Sequence, residues 1–341
     1  MKKEVDRISA VPSKRLFLSI IADYDLNRSI CELIDNALDI WVRGGNTSPI
    51  MVNIDLDKNQ QTIRVTDNAG GVDKTELSFI VGPGQTGNLP TEEIIGIFGV
   101  GTKRAVVALA QDIVITTRRK SERTYQVEFD ETWLESEDWE LPVYEVTDVS
   151  EGTTIIRLQR LRISVDDEAI SQLKEHLRAT YAHFLGDPSI AIRVNSDQLQ
   201  PLTFEEWSYP PGYPPHKYTG SLSSADGGTV RAEVLAGLTK ESSPAGGEYG
   251  VYFYCNSRLI ARALKNYDVG FTKGLAGLPH PSISLVRVIV SLSGPAQLMP
   301  WNSSKSGINP NHNMFIALRG FLVQVVKDWA SLSRRLSLIH I

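Results

Sequence analysis

The segment from Leu26 to Val42 constrains this chain more than any other. Leu33, Ile34, Ala37, Leu38 and Trp41 recur at spacings of three and four, which sets an apolar helical face. Asp25 stands where an N-cap belongs, and the two glycines of "RGGN" (43–46) stop the helix. Yet the same helix carries Glu32, Asp35, Asn36 and Asp39, three acids and an amide in eight residues. Carboxylates four apart, such as Asp35 and Asp39, repel by roughly 0.2–0.5 kcal/mol. A solvated outer face would mix Lys and Arg with its acids, and none occurs from Cys31 to Trp41. A carboxylate one turn from a carboxamide, as in Glu32 and Asn36, suits other work. The amide oxygen can ligate a hard cation such as Mg²⁺, and the acid can take a proton from an attacking water.

With 341 residues the chain has room for two domains and ample core. The start, "MKKEVDRISA", has no apolar stretch of a signal peptide, and no run of eighteen apolar residues exists to span a membrane. Cys31 and Cys255 lie far apart without CxxC spacing, offering neither a disulfide framework nor a zinc site. A cytosolic, cytoplasmic location is expected. From Arg258 to Ile341 there are ten Lys and Arg against two acids, a net of +8, which leaves −13 for the first 257 residues of a chain at −5. A basic C-terminal half on an acidic body points to a polyanion such as DNA on one side, with cations scattered over the surface as the alternative.

After the first helix, "IMVNIDLD" and "QTIRVTD" alternate like paired strands. "VDKTELSFI" reads as a short helix capped by Asp73, and "VGPGQTGNLPTEEIIG" (81–96) is a Gly/Pro/Thr-rich loop of the length expected for a lid. "GTKRAVVALA" opens a helix directly after glycines. "DIVITTR", "TYQVEFD" and "TTIIRLQ" follow as strands, then a helix from about Asp166 to Leu185 with Leu173, Leu177, Tyr181 and Phe184 on one face. "IAIRV", "YGVYFYCNSRLI" and "ISLVRVIVSL" are further strands, and a last helix covers about Asn313 to Ser333.

Two glycine-rich stretches flank this framework. "RVTDNAGGVD" (64–73) ends a strand with an acid and a small-residue turn, and "IGIFGVGTKRA" (95–105) enters a helix through Gly96, Gly99 and Gly101. Glycines admit a ligand close to the backbone, and free amides at a helix start attract phosphate. The order GxxGxG is not the GxGxxG of a dinucleotide fold, and Gly96 to Lys103 reads GxxxxGTK, with the last pair of a P-loop reversed.

Taken in order, "ELIDNALD", "DNAGG", "GIFGVG" and "GTTI" resemble the four motifs of the GHKL ATPase superfamily, which includes DNA gyrase B, the ninety-kilodalton heat-shock chaperone, histidine kinases, MutL and MORC proteins. The resemblance implies an α+β chain: a Bergerat-type ATPase sandwich, helices over a mixed, largely antiparallel sheet, at residues 1–165, then an α/β transducer domain at 166–341. It implies ATP and Mg²⁺ as cofactors. Glu32 is then the general base, Asn36 the Mg²⁺ ligand, and Asp67 the acceptor for the adenine amino group, with Thr153 beside it. Gly71 would leave room for the nucleotide. Gly96, Gly99 and Gly101 would hinge the lid, and Val100, Gly101, Thr102 and Lys103 would bind phosphate. Ala69 departs from the pattern, standing where the second motif usually has its first glycine.

The earliest histidine is His176, so no phosphoacceptor histidine precedes the first motif and a sensor kinase is not expected. "YGVYFYCNSRLIARA" (249–263) and "MPWNSSKSGIN" (299–309) resemble transducer segments of MORC-type and MutL-type ATPases, the MORC type more closely. By that resemblance Lys305 is the catalytic lysine that reaches the γ-phosphate from the second domain. The expected function is slow ATP hydrolysis driving a clamp-like homodimer, with DNA as client. The alternatives are an ATP-sensing or chaperone-like module acting on a protein partner, as in a defence system.

Overall fold

A computed structural model of the chain describes residues 14, 21, 24–82, 87–96, 101–224, 227–240 and 247–339. Helix α1 (Leu26–Arg43) begins at Asp25, whose carboxylate accepts from the Arg28 amide at 2.8 Å. Strands β1 (Ile50–Asp57) and β2 (Thr62–Asp67) form a hairpin. A short helix α2 (Leu77–Val81) precedes the lid segment, and α3 (Gly101–Leu109) follows it. Then come β3 (Ala110–Thr117), β4 (Thr124–Phe129), α4 (Glu131–Glu135), β5 (Val143–Val146) and β6 (Thr154–Leu161). Helix α5 (Asp167–Thr180) and a last turn α6 (Ala182–Leu185) break at Tyr181, and β7 (Ile190–Val194) and β8 (Asp197–Gln198) close the unit.

These strands make one eight-stranded sheet in the order β5-β4-β3-β6-β2-β1-β7-β8, antiparallel except where β1 meets β7. Ile50, Val52, Ile54 and Leu56 alternate inward along β1, and Ile63 and Val65 along β2. Helices α1 and α3 pack together on this apolar face, and α5 packs against α1. Alternating burial with helices on the covered face is the pattern expected of such a layer.

The second sheet is five-stranded and again mixed. It holds β9 (His216–Ser223), β10 (Thr229–Leu238), β11 (Gly250–Cys255), β12 (Arg258–Leu264) and β13 (Val286–Ser293), in the order β12-β11-β13-β10-β9. Helix α7 (Asn313–Ile339) packs along β10 and β13. Asn256 and Ser257 join β11 to β12 with φ values of +46° and +67°, the left-handed pair that a two-residue hairpin turn needs. The expected α+β chain, a helix-covered mixed sheet followed by a second α/β unit, is the one observed.

Three elements differ from the sequence expectation. Strand β7, expected in the second unit, pairs in parallel with β1 from Ile50↔Ile190 to Ile54↔Val194. Asn195 extends that seam, its side chain accepting from the Leu56 amide at 2.7 Å. The first sheet therefore runs through Gln198, past the division expected at 165, because β1 has an edge that a covered sheet must pair. Strand β9 falls within residues 201–250, whose Pro, Gly and Ser content reads as extended loops around "TVRAEVLAGL"; it lies at the sheet edge with mostly exposed residues, so its sequence lacks the alternation that marks a strand. Helix α7 runs on to Ile339.

A fragment of residues 24–201 should therefore unfold cooperatively on heating, followed by circular dichroism, whereas 24–165 should show no cooperative transition. Cooperative melting of the shorter fragment would show that β7 and α5 are not needed to complete the sheet.

Candidate nucleotide site

Glu32 lies on the inner side of α1 and is 3% exposed. A Cβ added to Gly101 would stand 2.1 Å from its Oε2, so the carboxylate rests directly on the bare start of α3. From the other side Lys305 Nζ donates to Glu32 Oε2 at 2.7 Å and to Asp35 Oδ2 at 3.1 Å. Asp35 Oδ1 accepts from Arg258 Nε at 2.9 Å, and Arg258 Nη1 donates to the Lys305 carbonyl at 2.6 Å. The Tyr181 hydroxyl lies 2.7 Å from Asp35 Oδ1 and 2.9 Å from the Cys31 carbonyl, and shares its one proton between them. Burial alone would lower the Lys305 ammonium, but Glu32 and then Asp35 outweigh it and hold the group above the ordinary lysine value. Two acids and two bases thus sit together, all buried and mutually neutralised.

A tight loop presents Lys305. Asn302 takes the Lys305 amide on its carbonyl at 3.0 Å and the Ser306 amide on its side chain at 2.9 Å. Lys305 itself has φ +50°, a left-handed backbone that costs a side-chain-bearing residue on the order of 1 kcal/mol.

One turn along α1, Asn36 Nδ2 donates to Thr102 Oγ1. That leaves Oδ1, the atom able to ligate Mg²⁺, without a hydrogen bond among the described residues. Lys103 is buried in the first turn of α3, and burial pushes its ammonium down to about 8. Two further polar groups lie together near this corner, the Tyr24 hydroxyl and Arg104, whose Nε has no hydrogen bond among the described residues. Tyr24 lies close enough to Glu32 and Lys305 that, after burial, Glu32 raises the phenol's pKa and Lys305 counters it.

The lid segment is anchored by Asp39, the last acid of α1. Its carboxylate accepts from the Ile95 amide at 2.8 Å, the Gly96 amide at 2.6 Å and Asn88 Nδ2 at 3.1 Å. Burial pushes Asp39 up to about 7, and the two amides partly offset it. A Cβ on Gly96 would come within 3.0 Å of Asp39 Oδ2, so glycine is what brings that amide onto the acid. The second sheet holds the same segment from outside. Asn256 Nδ2 donates to the Ile94 carbonyl at 2.9 Å, and the amides of Ala296 and Gln297 donate to the carbonyls of Glu92 and Pro90 at 2.9 and 3.0 Å. Gly99 and Val100 lie outside the described residues.

At the other end of the cavity Asp67 closes β2. Its Oδ1 accepts from the Ala69 amide at 3.0 Å, while Oδ2 has no hydrogen bond among the described residues and stays open to a donor. Burial pushes Asp67 up to about 7, the Ala69 amide opposing. The strand register sets Thr154 opposite Asp67, and Thr117 opposite Thr154, so the three side chains share one face. Thr154 and Thr117 hydroxyls are 3.1 Å apart. Thr154, rather than the expected Thr153, is thus the neighbour of Asp67. Thr153 serves through its carbonyl, which accepts the Arg118 amide at 2.9 Å.

Gly71 has φ +68°, and a Cβ there would stand 2.1 Å from the Arg118 carbonyl oxygen. Its smallness lets two turns pack backbone to backbone, a need that exists without any nucleotide. Ala69 is not among the positive-φ residues; Gly70 and Gly71 carry that geometry, so the departure from the motif costs the turn nothing.

An open acceptor at a strand end, together with a glycine-led helix start beside a carboxylate, fits an adenine nucleotide with its phosphates at α3. Residues 24–157 match the family model of the histidine kinase-, DNA gyrase B-, and HSP90-like ATPase, and they form a GHKL-type ATPase domain. The protein is accordingly an ATP hydrolase. No curated protein matches the chain. No helix among the described residues is long and apolar enough to cross a membrane.

Of the residues the sequence points to, Glu32, Asn36, Gly101, Thr102 and Lys305 meet where α1 faces the start of α3, and Asp67 closes β2. Sequence reasoning gave no role to Asp35, Asp39, Tyr181 or Arg258. Removing one partner of a buried ion pair costs about 3–5 kcal/mol. Arg258→Met should therefore lower unfolding stability by that amount in urea titrations, and Asp35→Asn in the same background should cost far less than it does alone. Additive losses would show that the pair does not interact.

Proposed function

We propose that ATP binding, with Mg²⁺ held on Asn36 Oδ1, and slow hydrolysis drive a closure relayed from the ATPase unit to the second sheet. The observation that carries this is Lys305, which comes from the second unit and lies on Glu32 in the nucleotide site. A γ-phosphate offers Lys305 a more highly charged partner than Glu32. Once Lys305 turns to it, Glu32 is free to take a proton from water while the phosphate is transferred to that water. ADP has no such group, so the two nucleotides favour different arrangements, as a switch requires. In this reading residues up to Gln198 are the ATP-binding domain and the remainder is a transducer domain of the MORC type. Asp67 accepts a hydrogen bond from the adenine amino group, Thr154 flanks it, and Thr102, Lys103 and the amides at the start of α3 hold phosphate.

ATP-driven closure brings two copies together as a clamp, and DNA is the proposed client, gripped through the basic C-terminal half. One observation favours the second reading, a regulatory or chaperone-like ATPase acting on a protein partner. Arg258, Arg287 and Lys305, three of the ten cations after residue 257, are buried and unavailable to a polyanion.

Glu32→Gln should bind ATP but lose hydrolysis by roughly 10²–10⁴-fold, the usual worth of a general base. By light scattering that variant should double in mass with ATP and stay single with ADP. Normal turnover would remove Glu32 from the chemistry, and an unchanged mass would remove the clamp.

Asp67 accepts a hydrogen bond from the adenine amino group best as the carboxylate, because the neutral acid keeps only a weaker carbonyl acceptor. With its pKa raised to about 7, binding must strip a proton from part of the population at pH 6.5. ATP affinity should therefore rise as pH goes from 6 to 7.5, below the range in which Lys103 loses its proton. The calorimetric enthalpy at pH 6.5 should depend on the buffer's ionisation enthalpy in the sense of proton release, and Asp67→Asn should lose that release. A buffer-independent enthalpy at pH 6.5 would remove Asp67 from the adenine contact.

A further inference from the structure

A cavity of about 410 Å³ opens where the first turn of α1, the last turns of α5, β12 and the Lys305 loop meet. Its lining includes none of Glu32, Asn36 and Asp67, so it is distinct from the nucleotide cavity, and it lies on the seam between the two sheets. Arg28, Arg258 and Arg262 face it, against one acid, Asp25. The Asp25 carboxylate is already engaged as the cap of α1. Arg262 is held at the rim by Glu248 at 2.8 Å and Glu175 at 3.5 Å. Lys305 contributes to the wall while its ammonium turns to Glu32 and Asp35.

Two observations mark this as a place for an anion. Arg258 is 4% exposed, and two of its nitrogens, Nε and Nη1, are bonded to Asp35 and to the Lys305 carbonyl. Its Nη2 makes no hydrogen bond among the described residues and is not enclosed by protein, so an otherwise buried guanidinium presents one charged donor to the cavity. The start of α1 adds the positive end of an 18-residue helix. Ser304 and Ser306 line the loop side, their hydroxyl protons engaged with each other and with Asn302 Oδ1. The field there is positive enough that, after burial itself, Arg258 is the next cause holding the lining His176 down to about 4, with Arg262 and Arg28 adding to it and Asp25 opposing.

We propose that this cavity binds a small phosphate-bearing molecule of nucleotide size or less, and that its occupancy governs how firmly the Lys305 loop is held over the ATP site. The volume is that of a small-ligand pocket. Guanidinium is the donor best suited to phosphate oxygens. Coupling follows from Arg258, which touches the cavity, the Lys305 carbonyl and Asp35 with one rigid group. A ligand that fixes this guanidinium fixes the loop that bears Lys305, and the effect of ATP on the ligand must equal that of the ligand on ATP. The binding half of the proposal stands without any role for Lys305 in sensing phosphate; the coupling half rests on that role.

The test is titration calorimetry of the full chain with pyrophosphate, after the ATP site has been filled with a non-hydrolysable ATP analogue and Mg²⁺. One site per chain is expected, with a dissociation constant below about 1 mM. Arg28→Glu and Arg262→Gln, both at partly exposed positions, should each weaken it by about tenfold, the worth of a charged hydrogen bond. AMP in place of pyrophosphate distinguishes the source: tighter AMP binding names a nucleotide, tighter pyrophosphate binding a polyphosphate. No saturable binding of either probe would overturn the site, as would binding that both variants leave unchanged. If the site binds but leaves analogue affinity the same with and without pyrophosphate, the coupling is wrong and the pocket stands alone.

Discussion

The buried cluster of Glu32, Asp35, Lys305 and Arg258 is neutral only while the two sheets are docked. Its acids come from one helix of the first unit, and its bases from a hairpin and a loop more than two hundred residues later. Taking an ion out of water costs several kcal/mol even after relaxation, so each side of this seam is unfavourable without the other. The absence of Lys and Arg between Cys31 and Trp41 has its explanation here: the compensating charge for α1 is delivered by the second sheet. That makes the contact both adhesive and breakable, since a new anion in the site changes the balance that holds it.

The lid obeys the same logic with weaker bonds. Asp39 holds Ile95 and Gly96 from below, while Asn256 holds Ile94 and the amides of Ala296 and Gln297 hold Glu92 and Pro90 from outside. Asn256 belongs to the turn that leads directly to Arg258, so one hairpin touches both the lid and the ion cluster. Ala296 and Gln297 likewise stand a few residues before the Lys305 loop. A rearrangement at the phosphate end of the cavity therefore has two rigid routes into the second sheet.

What the sequence makes legible is whatever depends on spacing within one element. The spacing of Glu32 with Asn36, the acid closing β2 and the glycine that opens α3 are local patterns, and each sits on the element its pattern implies. Tyr181 also sits on the apolar face its spacing indicates, but its hydroxyl reaches Asp35, a contact no spacing along α5 reveals. Arg258 stands in a quoted motif without an evident purpose, because its partner is 223 residues away. The parallel seam between β1 and β7 is invisible for the same reason: alternation shows which face of a strand is covered, not which strand is its neighbour. Register has a sharper lesson. Since side chains alternate with period two, moving from Thr153 to Thr154 decides which threonine faces Asp67.

Gly71 and Gly101 separate two causes that look identical in a motif. At Gly71 the obstructing atom is the Arg118 carbonyl, part of the fold itself, so any side chain there would disturb the turn with the site empty or full. At Gly101 it is the Glu32 carboxylate, which also holds Lys305 of the second unit. An alanine at 101 would push Glu32 away from α3 and loosen its pair with Lys305. The first glycine protects the turn, and the second protects the seat of Glu32. A site of this kind needs both, because a carboxylate placed at a bare helix start is held correctly only if the turns behind the sheet keep that helix where it is.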